Sequence, residues 1–148
     1  MVTRLSMNIL VLCTGNSCRS QIAEAYLRMY APENVVIYSA GIEAHGINEK
    51  ARQILLEDGI DISNQSSNLI EEYLDIQFQF IITVCDHAQE RCPIFPSDAI
   101  KIHQNFSDPS KKVGTKEEVH QSFLQTRDEI KQFCKKFMVK QFKTTSEL

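Results

Sequence analysis

The residues best suited to chemistry lie in a short segment, Cys13 to Ser20, in which five residues separate a cysteine from Arg19. An apolar run precedes the segment and a helical pattern follows it, so the sequence predicts a turn between a strand and a helix. A thiol at the start of such a turn faces unpaired backbone N–H groups and the positive end of the helix dipole, which both favour the thiolate. The same N–H groups converge on a tetrahedral oxyanion, while Arg19 can bind two of its oxygens. We therefore predict an anion-binding loop with Cys13 as its nucleophile and Ser20 as a hydrogen-bond donor that eases the release of Cys13.

A cysteine and an arginine at this spacing form a weak pattern by themselves, because chance matches are common. The alternative is that Cys13 is a buried thiol at the end of a strand and that Arg19 is a solvated helix residue. The strand, turn and helix around the segment favour the anion site.

The chain has five cysteines, an odd number that does not suit a disulfide framework. Cys134 falls on the apolar face of a predicted helix, where packing accounts for it. A zinc site built from Cys85, His87 and Cys92 would lack a fourth ligand and the paired spacing of structural zinc sites, so no metal is predicted. Loop or surface positions account for the histidines, which are scattered along the chain: His45, His87, His103 and His120.

The elements that must position these residues alternate between strands and helices. Apolar runs predict strands at residues 7–12, 35–39, 78–84 and 100–106. Apolar spacing predicts a first helix at residues 18–29, and Asn48 is placed to cap a second helix that ends near Gly59. Thr115 and Glu118 form a capping box that opens a long third helix.

Alternating strands and helices predict an α/β fold: a three-layer, open sheet of four parallel strands with helices on both faces. Ligands of such sheets bind outside the carboxyl ends of the strands. Cys13 follows the first strand, Cys85 ends the third and Asp108 comes after the fourth, so all three are expected at one edge. We expect residues 1–148 to form a single catalytic domain with frayed ends at residues 1–6 and 144–148.

Composition excludes several classes of protein. The net charge of −3 argues against a nucleic-acid binder, which carries a basic face. No apolar run approaches the roughly 20 residues of a membrane helix, and the first residues do not form a cleavable signal. A cytoplasmic monomer is expected.

The segment from Cys13 to Glu24, CTGNSCRSQIAE, resembles the signature loop of the low-molecular-weight protein tyrosine phosphatase superfamily, specifically its arsenate reductase branch. Later landmarks of that branch follow in order at residues 38–43, 58–63, 85–93 and 108–109, and the similarity runs from about residue 8 to about residue 137. The resemblance implies a phosphatase-like fold and a set of loop residues that bind the oxyanion: Thr14, Gly15, Asn16, Ser17, Cys18, Arg19 and Ser20.

Reducing arsenate consumes two electrons, which one nucleophilic thiolate cannot supply. A second thiol must attack the sulfur of the arsenate adduct, which releases arsenite and leaves a disulfide. Residues 85–93 resemble the redox pair of the thioredoxin-coupled reductases, so the resemblance implies a Cys13–Cys85 disulfide that passes to Cys85–Cys92. Thioredoxin would be the reductant, and no cofactor is required. The alternative is that Cys85 is a small buried hydrophobe and Cys92 a surface thiol.

The acid of this family follows the fourth strand, which implies that Asp108 protonates the departing hydroxide. Without the family, Asp108 reads equally as the start of a turn before Pro109. Phosphatases of the superfamily usually place a tyrosine after this Asp-Pro pair; Ser110 stands there instead, which points away from a phosphotyrosine substrate. Residues 64–68 also lack a histidine and an acid that relatives often carry, which argues against an ion site in that loop.

Three functions remain open. The first is an arsenate reductase with weak phosphatase side activity. The second is a phosphatase of aryl phosphates or phosphotyrosine that needs only Cys13, Arg19 and Asp108. The third is a non-enzymatic oxyanion-binding or redox-sensing module, which would not need Asp108.

Overall fold

The computed structural model describes residues 6–86, 88 and 98–142. Within them, one sheet of four parallel strands has the order β2-β1-β3-β4. The strands are β1 (Met7–Cys13), β2 (Val35–Gly41), β3 (Phe80–Thr83) and β4 (Ile100–His103). The described helices are α1 (Arg19–Tyr30), α2 (Glu49–Glu57) and α3 (Lys116–Phe142), with short 3-10 turns at Ile70–Tyr73 and Pro109–Lys111. The predicted α/β fold with four parallel strands is confirmed.

Strand β1 lies between β2 and β3, and its sequence explains that central place. Ile9, Leu10 and Val11 are each 0% exposed. Because successive side chains of a strand point to opposite faces, this run shows that both faces of the sheet are covered at β1. Cys13 ends the strand and is therefore delivered to the carboxyl edge of the sheet.

The predicted helix boundaries follow from local capping groups. Asn48 Oδ1 accepts a hydrogen bond from the Ala51 N–H at 2.9 Å at the start of α2, and Gly59 beyond its end has a φ of +79°. Thr115 and Glu118 exchange two bonds of 3.1 Å, which forms the predicted capping box before α3.

Helix α3 packs against α1 and covers one face of the sheet at β3. Phe80 of β3 meets Phe137 of α3 edge to face, with 5.2 Å between the ring centroids. Cys134 is 0% exposed, as predicted for a packing residue.

Two strands are shorter than predicted. The predicted third strand began at residue 78, but the N–H of Asn8 bonds to the side chain of Gln79 at 2.6 Å, so regular pairing starts at Phe80. The predicted fourth strand reached residue 106, but it ends at His103 as the chain turns toward the active-site edge.

Some predictions lie outside the described residues, among them those for His87, Cys92 and the last residues of the chain. Among the residues that are described, no helix has both the length and the apolar character needed to cross a membrane.

Candidate active site

A pocket of about 280 Å³ opens at the carboxyl edge of the sheet. Three separate parts of the chain form it: the loop after β1, the segment after β2 and the segment after β4. The lining residues are Cys13, Thr14, Gly15, Ser17, Cys18, Arg19, His45, Asp108, Ser110 and Lys111. The structure thus brings together Cys13, Arg19 and Asp108, which the sequence had placed at one edge.

The loop after β1 takes its shape from a buried asparagine. Asn16 is 0% exposed and has a φ of +46°, in the left-handed region. Its Oδ1 accepts hydrogen bonds from Ser20 Oγ at 2.8 Å and from Gln21 Nε2 at 3.1 Å. The Gln21 amide also donates to the Ser66 carbonyl at 2.9 Å, which ties the loop to the polar stretch at residues 64–68.

These bonds correct the prediction that Ser20 donates to Cys13, whereas oxyanion binding by the loop residues, Asn16 and Ser20 included, stays a prediction. The single hydroxyl proton of Ser20 goes to Asn16, so Ser20 does not donate to Cys13. The side chains of Asn16 and Ser20 also do not line the pocket. Both side chains stabilise the conformation of the loop, because their polar atoms bond to each other inside it. These atoms do not point toward the oxyanion pocket.

A second loop, residues 42–48, supports the anion loop from outside. The N–H groups of Glu43, His45 and Asn48 donate to the carbonyls of Thr14 at 2.8 Å, Gly15 at 2.9 Å and Ser17 at 2.9 Å. The N–H and C=O of one peptide unit point in opposite directions, so the N–H groups that follow these carbonyls face away from the supporting loop. They are free to form a nest for an anion.

This close support requires glycine at two positions. A Cβ on Gly41 would lie 2.3 Å from the Glu43 carbonyl oxygen and 2.7 Å from the Asn16 nitrogen. A Cβ on Gly15 would lie 2.4 Å from Nδ1 of His45. The absence of a side chain therefore lets the two loops approach.

The thiols of Cys13 and Cys85 are hydrogen-bonded to each other, and both residues are under 5% exposed. Thr14 Oγ1 lies 3.3 Å from Cys85 Sγ. The hydrogen bond from Cys13 is the largest cause that lowers the pKa of Cys85 to about 5, while the same bond and burial raise the pKa of Cys13. The two thiols are therefore coupled through one shared proton, and the first ionisation of the pair is favoured while the second is disfavoured.

This pairing differs from the prediction that backbone amides and the helix dipole favour the thiolate at Cys13. The Arg19 charge and the Thr14 N–H do lower the pKa of Cys13, but the bond with Cys85 and burial outweigh them. Moving the shared proton along the S–H···S bond places the charge on Cys13 without changing the total charge of the pair.

The amino end of α1 is suited to an anion, because no side chain caps it and its first N–H groups are left without side-chain partners. Cys18 stands at this N-cap position. Burial, and then the nearby Asp108 charge, raise the pKa of Cys18 to about 12. Cys18 therefore stays protonated, in keeping with its predicted lack of a chemical step.

Arg19 and Asp108 face each other across the pocket. Arg19 Nη1 donates to the Phe106 carbonyl at 2.8 Å, and Arg19 Nη2 lies 3.6 Å from Asp108 Oδ2. Asp108 Oδ1 accepts hydrogen bonds from the N–H of Ser110 at 3.0 Å and its hydroxyl at 2.6 Å. Asp108 thus starts a turn, as one interpretation predicted, and it also lines the pocket, where the acid role of the other interpretation stays a prediction.

Three lining residues were not predicted from the sequence: His45, Ser110 and Lys111. His45 reaches the pocket because the supporting loop folds over Gly15, and its Nε2 lies 2.5 Å from Glu43 Oε1. Nothing in its sequence neighbourhood marks it as a site residue. For Ser110 and Lys111, their place directly after Asp108-Pro109 was an available signal.

Comparison with known proteins agrees with this geometry. The family model for low molecular weight phosphotyrosine protein phosphatases matches residues 8–147. The arsenate reductase of Halalkalibacterium halodurans is 46% identical over 129 residues, which cover 87% of this chain and 93% of that protein. The arsenate reductase of Bacillus subtilis is 43% identical over 129 residues, which again cover 87% of this chain and 93% of that protein.

A solved arsenate reductase from Archaeoglobus fulgidus superposes with a TM-score of 0.70 at 26% identity, covering 88% of this chain and 98% of that one. The fold, the sequence of the anion loop and the similarity over most of the chain therefore indicate the same family. The chain belongs to the low molecular weight phosphotyrosine protein phosphatase family, the superfamily that its loop from Cys13 to Ser20 resembles.

Proposed function

We propose that this protein reduces arsenate to arsenite through a Cys13 adduct and a relay of disulfides, Cys13–Cys85 and then Cys85–Cys92, and that thioredoxin restores the thiols. The observation that carries the proposal is the second thiol: Cys85 is hydrogen-bonded to Cys13 at the base of an anion-binding loop. Hydrolysis of a phosphate ester does not require this second thiol. The similarity to proteins named arsenate reductase supports the choice of substrate.

Binding begins with the loop amides and Arg19. An oxyanion in the pocket meets the N–H groups of the loop and competes with Asp108 for Arg19 Nη2, since the Arg19–Asp108 contact of 3.6 Å is longer than a hydrogen bond. Lys111, which also lines the pocket, adds a second positive charge.

The adduct forms when the Cys13 thiolate attacks arsenic. An S–As bond forms and an As–O bond breaks, and Asp108 gives a proton to the departing hydroxide, which leaves as water. The Ser110 bonds hold Asp108 Oδ1, so the proton comes from Oδ2, the oxygen that faces the pocket.

Reduction follows when Cys85 gives its proton to an oxygen of the arsenic adduct and attacks Cys13 Sγ as a thiolate. An S–S bond forms, the S–As bond breaks, and its electron pair stays on arsenic, so As(V) becomes As(III) while two cysteines are oxidised. Thr14 Oγ1 is within 3.3 Å of Cys85 Sγ and stabilises the attacking thiolate.

The relay ends when the Cys92 thiolate attacks Cys85 Sγ, which frees Cys13 as a thiolate for another cycle. The dithiol of thioredoxin then reduces the Cys85–Cys92 disulfide and is itself oxidised. The sequence supports this step through the Cys-x6-Cys-Pro spacing of Cys85, Cys92 and Pro93.

The phosphatase alternative uses the same first step, because arsenate and phosphate share shape and charge. Residual hydrolysis of aryl phosphates is therefore part of the proposal. Among the described residues that line the pocket, none is a phenylalanine or tyrosine that would stack on a substrate ring, which favours a small inorganic anion.

A coupled assay with thioredoxin, thioredoxin reductase and NADPH tests the proposal. Arsenate turnover should be lost in Cys13→Ser, Cys85→Ser and Cys92→Ser, whereas hydrolysis of an aryl phosphate should be lost only in Cys13→Ser. Cys134→Ser, a packing cysteine, is the matched control and should keep both activities.

After one turnover, mass spectrometry should find a Cys85–Cys92 disulfide. A disulfide that includes Cys18 or Cys134 would refute the relay. Equal loss of hydrolysis in all three serine variants would refute the proposal that Cys13 is the only cysteine needed for hydrolysis.

The proposal also places the protein in the cytoplasm as a monomer. Cys13, Cys18, Cys85 and Cys134 are free thiols, which suits a reducing compartment. The exposed large apolar residues of the described chain are scattered, with Val36 on one edge strand and Ile100 on the other. Light scattering during gel filtration should give the mass of one chain.

A further inference from the structure

His103 connects the ends of β3 and β4 beside the active-site edge. Its Nδ1 lies 2.7 Å from Thr83 Oγ1 and its Nε2 lies 2.7 Å from Asp86 Oδ1. Thr83 and His103 are partners in the register of the two strands, so their side chains share a face of the sheet. With a proton on Nε2, the imidazole donates to the Asp86 carboxylate, while Thr83 Oγ1 lies within hydrogen-bond distance of Nδ1.

The segment at the end of β4 makes a second contact with Asp86. Its backbone N–H donates to Asn105 Oδ1 at 3.2 Å. Both His103 and Asn105 belong to the end of β4 or the residues just after it. One segment thus holds Asp86 through its side chain and through its backbone.

This double attachment matters because sheet bonding stops one residue before Cys85. The Val84 N–H donates to Leu12 at 3.0 Å, and the Val84 carbonyl accepts from Phe106 at 3.1 Å. Beyond Val84, the direction of the chain at Cys85 depends on what holds the next residue, Asp86.

The contacts of the Cys85 sulfur form only when the backbone at Cys85 runs in the direction seen here. The sulfur meets Thr14 Oγ1 at 3.3 Å, the Cys13 thiol and the N–H of Ala88, which is buried. A shift of Asp86 would move Cys85 on one side and Ala88 on the other, and would weaken these contacts together.

We propose that His103 and Asn105 are positioning residues for the reduction step: by holding Asp86, they keep Cys85 Sγ within reach of Cys13 Sγ. The inference rests on the proposed function, in which Cys85 attacks the Cys13 adduct. Neither residue touches the oxyanion pocket, so binding and adduct formation proceed without them.

The test is a single turnover in a Cys92→Ser background, where the reaction stops at the Cys13–Cys85 disulfide. Replacing His103 with leucine should slow arsenite release about tenfold, because small displacements of a reacting group have large effects on rate. Hydrolysis of an aryl phosphate by the same variant should stay within about twofold of the parent, since that reaction does not use Cys85.

Companion variants separate positioning from a general loss of structure. His103→Gln places an amide nitrogen near the position of Nε2 and should recover part of the rate. His120→Leu removes a histidine that pairs with Glu57 at 3.6 Å on other elements, and should change nothing. Asp86→Ala, at a side chain that is 68% exposed, should reproduce the slow release even if His103→Leu folds poorly.

A second measurement does not need arsenate. An added thiol oxidant, diamide, should close the Cys13–Cys85 disulfide more slowly in His103→Leu and Asp86→Ala than in the parent. If the parent released no arsenite but formed this disulfide at a rate that depended on His103, the proposed function would fail and the positioning role would stand. Unchanged closure and release, or a matching loss of phosphate hydrolysis, would overturn the positioning role.

Discussion

The thiol of Cys13, at the end of β1, is hydrogen-bonded to the thiol of Cys85, two residues beyond the end of the neighbouring strand β3. Arg19 lowers the pKa of both thiols, and Thr14 stabilises each sulfur, through its N–H for Cys13 and its hydroxyl for Cys85. The two thiols therefore titrate as a coupled pair, because each sulfur changes the pKa of the other.

The pH dependence of this pair gives a first prediction. Because the pKa of Cys85 is lowered to about 5, one thiolate should be present at and above neutral pH and should be lost as the pH falls through about 5. The ultraviolet absorbance of thiolate, followed during titration, should show this step in the parent protein. The reduction step should slow over the same range.

The step should disappear from the acid range in both Cys13→Ser and Cys85→Ser, because each change removes one end of the hydrogen bond. Cys92→Ser is the control and should keep it. Cys18, with a pKa raised to about 12, should not contribute below strongly alkaline pH. An acid-range step that survives in both single variants would show that another group carries the charge.

The acid role of Asp108 gives a second prediction. Asp108→Asn should lower kcat by about 10²–10⁴ for arsenate reduction and for aryl phosphate hydrolysis, because the departing oxygen loses its proton donor. The KM for the oxyanion should not rise, since the change removes a negative charge 3.6 Å from Arg19.

Steady-state kinetics of both reactions measure this effect, with Asp75→Asn at an exposed position as the matched control. Full activity of Asp108→Asn in both reactions would leave the residue with only its turn-forming role. Unimpaired anion binding together with no activity in the parent would favour the non-enzymatic module.

The contact between the two loops at Gly41 gives a third prediction. Gly41→Ala should destabilise the protein by about 1–3 kcal/mol, the usual cost of overpacking. It should also abolish measurable phosphate binding, because a Cβ 2.7 Å from the Asn16 nitrogen pushes the anion loop out of shape.

Chemical denaturation and calorimetric phosphate titration measure the two effects separately. Gly59→Ala is the control: its φ of +79° makes alanine strained, but no atom lies within 4 Å of the added carbon. That variant should lose stability and keep phosphate binding. If Gly41→Ala bound phosphate normally, the close approach of the loops would have no functional role.

The buried bonds of Asn16 give a fourth prediction. Asn16→Ala leaves Ser20 Oγ without its acceptor and removes one acceptor of the Gln21 amide, and it places alanine in a left-handed conformation. The free energy of unfolding should fall by about 2–4 kcal/mol, given the cost of buried unpaired polar groups. Asn64→Ala, at an exposed position, should change stability little. A loss of less than about 0.5 kcal/mol in Asn16→Ala, the range of ordinary surface substitutions, would contradict the role assigned to these bonds.

Several features were determined by the sequence alone, because their causes are local. The apolar run at residues 7–12 requires burial on both faces, Asn48 and the Thr115–Glu118 pair satisfy the first N–H groups of their own helices, and Gly59 ends a helix. Alternation of these elements leads to a parallel sheet, and a parallel sheet places the residues that follow its strands at one edge.

Tertiary structure decided which of those residues meet. The strand order β2-β1-β3-β4 puts β1 beside β3, which brings Cys13 against Cys85 although 72 positions separate them in the chain. The contacts of Gln21 with Ser66 and of Arg19 with Asp108, and the arrival of His45 at the pocket, likewise depend on loops that pack from distant parts of the chain. No local pattern records such contacts, because a hydrogen bond depends on distance and angle in space and not on spacing along the chain.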